Sequence, residues 1–149
     1  MSKIEKNADD LIFDHIGIVV PEVEDGCSRL RAILGRLRWT ERFDDSNLGV
    51  SVRFARDAAG IVYEIIAPYG DNSPVSRALK SRSDLLNQLA YRTQSLSTSV
   101  ARLRAARAVP IGHARPALAF GGASVQFLMT ELGFLIELIE IDRIFHKFN

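Results

Sequence analysis

The strongest constraint on the fold of this chain is an internal repeat. The four residues 29–32 (Arg-Leu-Arg-Ala) recur as residues 102–105, at an offset of 73 in a chain of 149 residues. At the same offset, residues 60–66 fall on residues 133–139, and both segments begin with glycine and carry a glutamate within an apolar run. Two amphipathic helices can resemble each other by chance, but a register shared by both segments indicates two copies of one unit.

Each copy has the same predicted order of elements, βαβββ. In the first copy, residues 12–20 are mostly apolar and β-branched, as expected of a buried strand, and residues 23–34 place apolar side chains on one helix face. Turn-rich segments then separate three further strands. These strands are predicted at residues 37–43, 50–55 and 61–67, and the second copy repeats the pattern with a strand at 86–93, a helix at 96–107 and strands at 109–111, 125–130 and 134–141.

The two copies are predicted to form one α+β domain over residues 1–149, with tandem βαβββ modules around a shared cleft. The first module covers about residues 11–68 and the second about residues 84–141. A linker at 68–73 and a short helix at 74–82, with Ser73 as its N-cap, join them. Each module alone is too small to bury a large core, so the cleft between them is expected to be shared.

Charge and composition exclude several classes of function. Nineteen Lys and Arg against eighteen Asp and Glu give a net charge of +1, which lacks the one-signed field of a nucleic-acid-binding protein. No apolar run approaches the roughly 20 residues of a membrane-spanning helix. The single Cys27 and the lack of a signal peptide favour a reducing compartment. We therefore expect a cytoplasmic protein without nucleic-acid or membrane partners.

Polar residues within the apolar strands indicate a site. An ionised carboxylate is costly to bury unless it is paired or coordinated, and Glu64 and Glu137 both lie in apolar runs. His15 and Gln88 lie in equivalent strands, each 49 residues before its glutamate. If matching faces of the two modules meet, the four side chains converge.

One imidazole, two carboxylates and an amide oxygen can bind a divalent ion such as zinc, nickel, cobalt or manganese. The alternative is that each residue is an ordinary polar side chain with its hydrogen bonds satisfied in the core. The shared repeat register favours the metal site, although the amide is the weakest ligand of the set.

At these residues the sequence resembles the vicinal oxygen chelate superfamily, which includes glyoxalase I, methylmalonyl-CoA epimerase, extradiol dioxygenases and bleomycin-resistance proteins. The resemblance runs from residues 13–17 through 63–68 to 135–140. It implies a glyoxalase-like curved sheet around a metal-containing cleft. It also implies that four residues occupy the metal-ligand positions: His15, Glu64, Gln88 and Glu137.

Two positions depart from the pattern that the resemblance implies. Bacterial glyoxalases and epimerases usually carry histidine where this chain has Gln88, whereas eukaryotic zinc glyoxalases use glutamine and histidine at the opposite positions. The epimerases also carry an additional glutamate base, and alignment places Val52 or its neighbours there, with no acidic residue in 46–56.

The sequence is compatible with two functions. The first is a metal-dependent isomerase, epimerase or lyase that removes a proton next to a metal-bound carbonyl, with Glu64 or Glu137 as the base. Its substrate would be a small carbonyl compound such as an acyl thioester. The second is a binding protein that holds a small molecule in the same cleft without catalysis, as bleomycin-resistance proteins do.

Arg92, His113 and the C-terminal tail are further candidates for substrate or partner contacts. Arg92 shares a strand face with Gln88, where it could bind a substrate anion or pair with an acidic side chain of the protein. His113 is expected in a loop beside the cleft, as a surface residue or a substrate contact. The tail at 142–149 contains Phe145 and Phe148, which predict an apolar interface and a homodimer.

Overall fold

The computed structural model describes residues 10–83 and 85–149, so the first nine residues of the predicted domain lie outside the described residues. The strands are β1 (Ile12–Val19), β2 (Arg38–Asp45), β3 (Val50–Arg56), β4 (Val62–Pro68), β5 (Leu86–Thr93), β6 (Val109–Ala117), β7 (Ala123–Met129) and β8 (Leu135–Glu140). The helices are α1 (Val23–Leu34), α2 (Ser76–Ser81) and α3 (Leu96–Ala105), followed by a 3-10 turn at Leu118–Phe120.

All eight strands form one curled sheet in the order β2-β3-β4-β1-β5-β8-β7-β6. At its centre β1 and β5 run antiparallel, while β1 pairs with β4 and β5 pairs with β8 in parallel. The two halves are therefore related by an approximate twofold axis between β1 and β5, and the bounds of β3 and β7 differ by the repeat offset. The predicted α+β fold of two βαβββ modules is confirmed.

Local chemistry explains where the module helices begin. The Glu22 carboxylate accepts hydrogen bonds from the backbone N–H groups of Glu24 and Asp25 at the start of α1. Ser95 has the same role at α3, where its hydroxyl accepts from the N–H of Thr98. Cys27 is buried against β4, and burial raises its pKa to about 11. Within the described residues, no helix is long and apolar enough to cross a membrane.

The concave side of the sheet holds the largest apolar cluster, which includes Phe54 and Phe120. This side is closed where the end of β6 meets the end of β2. There the N–H of Leu118 donates to Asp45 Oδ2 at 2.9 Å, and Asn47 Nδ2 donates to the carbonyl of Pro116 at 2.8 Å. These bonds hold the two edges of the curled sheet together, and the sheet forms a half-barrel.

The structure corrects two local predictions. Val75, and not Ser73, is the N-cap of α2, and the Ser73 hydroxyl donates instead to the carbonyl of Gly49 at 2.5 Å. That bond ties the linker to the residue that precedes β3. Strand β6 extends to Ala117, so His113 lies within an exposed edge strand and not in a loop.

The C-terminal tail packs inside its own chain. After β8 it crosses the concave side, and the N–H of Asn149 donates to the carbonyl of Trp39 on β2 at 3.0 Å. Phe145 and Phe148 pack against the concave apolar cluster. Phe145 and Phe148 therefore do not form the free apolar surface on which the prediction of a homodimer depends.

Candidate metal centre

The four residues singled out from the repeat meet at the centre of the half-barrel. His15, Glu64, Gln88 and Glu137 come from the four central strands β1, β4, β5 and β8, one residue from each. His15 Nε2 lies 3.3 Å from one carboxylate oxygen of each glutamate. Gln88 Nε2 donates to the same two oxygens at 3.2 Å. Each of these side chains belongs to a residue with 6% or less of its surface exposed.

These distances fit a shared divalent ion. Ligand atoms bound about 2.1 Å from one ion lie about 3.0 Å apart at right angles and about 3.4 Å apart at tetrahedral angles. His15 Nε2 is buried and, within the described residues, has no partner with hydrogen-bond geometry, because it points between the two carboxylates. His15, Glu64 and Glu137 therefore fit three positions of a metal centre.

Gln88 completes the set through a close approach between β1 and β5. Gly17 lies opposite Gln88 in the ladder, and a Cβ at Gly17 would lie 2.6 Å from Gln88 Cγ. Only glycine leaves room for the glutamine side chain to cross β1 toward the carboxylates. The amide presents its NH₂ group to them, and a half-turn of the amide would present Oε1 to an ion instead.

Asp14 is a buried acidic residue of the site that the sequence analysis does not select. Strict alternation along β1 would place Asp14 and His15 on opposite faces, but the β1–β5 register shifts between Phe13 and His15 and leaves Asp14 as a bulge. Asp14 Oδ2 accepts from His15 Nδ1 at 2.7 Å. Its position beside a histidine in an apolar strand is the signal that could have identified it.

His146 of the tail is the second missed residue. Its Nε2 lies 2.6 Å from Asp14 Oδ2, so one carboxylate oxygen contacts both imidazoles. The His146 ring packs on Phe54 with 4.2 Å between ring centroids. No periodic pattern marks this part of the sequence, so only the folded chain shows that it reaches the site.

Three pKa shifts describe the charge balance of the site. Burial favours neutral His15, but the Glu64 charge and the hydrogen bond that His15 Nδ1 donates to Asp14 outweigh it and raise the pKa of His15 well above 6.5. Burial, together with the Glu64 charge, raises the pKa of Glu137 to about 7 against the opposing effect of His15. Burial also opposes ionisation of Asp14, but hydrogen bonds from His146 and His15 hold its pKa well below 3.8.

The two candidate substrate contacts lie in different places. Arg92 Nε is 3.2 Å from Asp14 Oδ1 and its side chain is mostly buried, so it pairs with an acidic side chain of the protein. His113 is exposed on β6, three strands away from β5 in the sheet. The structure therefore brings Arg92 next to the four central residues and leaves His113 at the edge.

Neither β2 nor β3 supplies an additional base to the site. Val52 on β3 is buried in the concave apolar cluster. On β2, Glu41 and Asp44 are exposed, whereas Asp45 accepts hydrogen bonds from backbone N–H groups at the closure of the half-barrel. The carboxylates near His15 in the described chain are thus Asp14, Glu64 and Glu137.

Solved structures of similar fold include methylmalonyl-CoA epimerases. The enzyme from Mycobacterium tuberculosis shares 21% identity at a TM-score of 0.76, over 95% of this chain and 94% of that chain. A hypothetical protein from Bacillus halodurans C-125 shares 23% identity at a TM-score of 0.75, over 89% of this chain and 96% of that chain. A methylmalonyl-CoA epimerase in complex with methylmalonyl-CoA shares 19% identity at a TM-score of 0.72, over 92% and 99% of the two chains.

Sequence comparison gives the family. No curated protein matches the sequence. The family model of the glyoxalase, bleomycin resistance protein and dioxygenase superfamily matches residues 14–127, which cover the first module from the residue before His15 and the second module as far as β7. This chain therefore belongs to the glyoxalase/bleomycin resistance protein/dioxygenase superfamily.

Proposed function

We propose that this protein is a metal-dependent isomerase or epimerase that removes a proton next to a carbonyl group; a lyase step of glyoxalase type uses the same chemistry. The observation that supports the proposal most directly is the orientation of His15 Nε2. This buried nitrogen points between the Glu64 and Glu137 oxygens at 3.3 Å from each, at spacings that suit one shared ion.

Each residue of the site would have a defined role, and Glu64 and Glu137 would each have two. His15, Glu64, Gln88 and Glu137 would hold zinc, nickel, cobalt or manganese, which acts as a Lewis acid on a carbonyl oxygen when bound. Asp14 accepts a hydrogen bond from His15 Nδ1 and so orients the opposite nitrogen toward the site. Glu137 or Glu64 would also accept the proton from the carbon beside the carbonyl, because a carboxylate next to a bound carbonyl group can act as the base.

We propose a small acyl thioester as the substrate class. Support comes from the shared fold with epimerases, one of which is solved in complex with methylmalonyl-CoA. Arg92 and His113 are the proposed substrate contacts. Arg92 is the better placed of the two, because it shares the carboxylate of Asp14 with the site.

Metal binding tests the first part of the proposal. The purified protein would be stripped with a chelator and titrated with zinc, nickel and cobalt by calorimetry. We expect one ion per chain and loss of that binding in His15→Ala. An intact fold without stoichiometric binding of any of the three ions would overturn the proposal.

A second candidate is a binding protein without catalysis, and one observation favours it. The additional acidic residue expected of an epimerase is replaced by buried Val52, and Glu41 and Asp44 of β2 are exposed. Exchange of the α-proton of methylmalonyl-CoA in D₂O, followed by NMR with the metal-loaded protein, separates the two. Exchange that is lost in Glu137→Gln supports the enzyme, whereas saturable binding without exchange supports the binding protein.

The exposed β6 edge and the free cysteine bear on the assembly and the location of the protein. We propose a homodimer through the β6 edge, because Val109 and Ile111 are 62% and 50% exposed on that strand. Gel filtration with light scattering should give the mass of two chains, and a single-chain mass at high concentration would refute the homodimer.

We also propose a cytoplasmic location, supported by the free thiol of buried Cys27.

A further inference from the structure

The C-terminal residues 142–149 cross the site as a strap. The strap leaves β8, which is next to the central strand β5, and ends at the opposite edge of the sheet, where the N–H of Asn149 donates to the carbonyl of Trp39 at 3.0 Å. Four strands lie between these two points in the sheet, β5, β1, β4 and β3, and the strap contacts Asp14 on β1 and Phe54 on β3. Three of the four central residues, His15, Glu64 and Gln88, lie on these intervening strands.

His146 is the residue by which the strap contacts the site. Its side chain is 2% exposed, and its Nε2 lies 2.6 Å from Asp14 Oδ2. The imidazole packs against Phe54, Phe120 and His15 at centroid distances of 4.2, 5.2 and 6.0 Å. Phe145 and Phe148 fill the adjoining space against Phe120 and His146, respectively.

The site next to the strap is closed from solvent. His15 is 0% exposed and Glu137 is 4% exposed. A substrate whose carbonyl group must come within bonding distance of these buried residues therefore needs an opening, and β1, β4, β5 and β8 are each held by ladders to both neighbouring strands. The strap has no ladder of its own: it contains neither helix nor strand, and side-chain contacts and its terminal backbone hydrogen bond hold it to the sheet.

We propose that residues 142–149 are a lid, latched by His146 on Asp14, that opens without unfolding of the sheet and so determines which substrates reach the site. The inference rests on the proposed function only in that a substrate binds at His15 and its neighbours. Segments held by few hydrogen bonds open at a lower free energy than core strands, which makes the strap the part that moves.

Thiol labelling of the metal-free protein tests the lid directly. Val52→Cys places a thiol of similar size in the apolar cluster that Phe145 and Phe148 cover, and Cys27 is an internal control because it lies in the separate cluster beneath α1. Labelling with iodoacetamide would be followed at each cysteine by peptide mass spectrometry. We expect Cys27 to react about tenfold more slowly than the introduced thiol, since only the lid must open to reach position 52.

Two further variants of the V52C protein identify the lid and its latch. Removal of residues 142–149 should raise labelling at position 52 by about tenfold and leave labelling of Cys27 unchanged. His146→Leu should raise it in the same direction, whereas His113→Leu, on the exposed β6 strand, should not.

Three outcomes would overturn the proposal. In the intact V52C protein, equal labelling of both thiols would show that the strap opens only with global unfolding. In the shortened chain, an unchanged rate at position 52 would show that the strap does not cover the site, and fast labelling of both thiols would show that it is an integral part of the core. Because no metal is used, a failure of the lid and a failure of metal binding give different results.

Discussion

Gly17 and Gln88 face each other across the β1–β5 ladder so closely that a methyl group on Gly17 would lie 2.6 Å from Gln88 Cγ. We expect Gly17→Ala to displace the Gln88 side chain from the two carboxylates and to cost about 1–3 kcal/mol of unfolding free energy by overpacking. Urea unfolding would measure the cost. The double variant with Gln88→Ala is the control, because it removes Cγ; an equal cost of Gly17→Ala in both backgrounds would contradict the explanation.

Asp14 is the anion on which three cationic or polar groups converge. Asp14→Asn should destabilise the protein by about 3–5 kcal/mol, because it leaves Arg92 buried without its charge partner. The matched control is Asp25→Asn, which breaks the exposed ion pair with Arg29 and should cost less than about 0.5 kcal/mol. Thermal unfolding of the two variants side by side would check the difference, and similar losses in both would argue against a special role for Asp14.

The stability of the metal-free protein should fall as the pH rises from 5 to 8.5. The pKa of His15 is raised in the folded state, so the stability it contributes is complete below about 6.5 and is lost as the pH rises through the raised value. Glu137 acts in the same direction, because its pKa rises from 4.5 to about 7 on folding. The lowered pKa of Asp14 has its effect only below 3.8. Denaturant unfolding of chelator-treated protein at several pH values would test the sign of this slope.

Glu137→Gln should reduce the pH dependence of the stability of the metal-free protein and should weaken metal binding. The amide cannot take up the proton that the buried carboxyl binds near pH 7, and it is a poorer ligand than a carboxylate. We expect zinc affinity to fall by about tenfold or more in calorimetric titration. Glu131→Gln changes an exposed glutamate in the turn before β8 and should leave both properties unchanged. Wild-type zinc affinity in Glu137→Gln would remove this residue from the ligand set.

The sequence predicts the fold well because one repeat constrains all of it. A single offset relates β3 to β7 and α1 to α3, so each element of the repeated unit is predicted from two separate segments of the sequence. The same offset brings His15, Glu64, Gln88 and Glu137 to one place, since charged side chains in apolar strands are costly unless they meet partners. Whether the four residues bind a metal stays a prediction.

The rest of the site depends on features without a periodic signal. Asp14 faces the site because a bulge interrupts the alternation of β1, and a strict period of two predicts the opposite face. His146 is missed because the tail is neither helix nor strand, so its position is set by contacts over long sequence separation. Ser73 is read as a helix cap from its residue type alone, whereas in the folded chain its hydroxyl bonds to the nearby carbonyl of Gly49.

The twofold relation between the two modules is broken within the site itself. Glu64 and Glu137 are equivalent under the repeat, but the equivalent of His15 is Gln88. A ligand with two oxygen atoms would thus meet an imidazole nitrogen on one side and an amide on the other. Its two orientations between the modules would differ in energy, so the broken symmetry of the site would distinguish one end of such a ligand from the other.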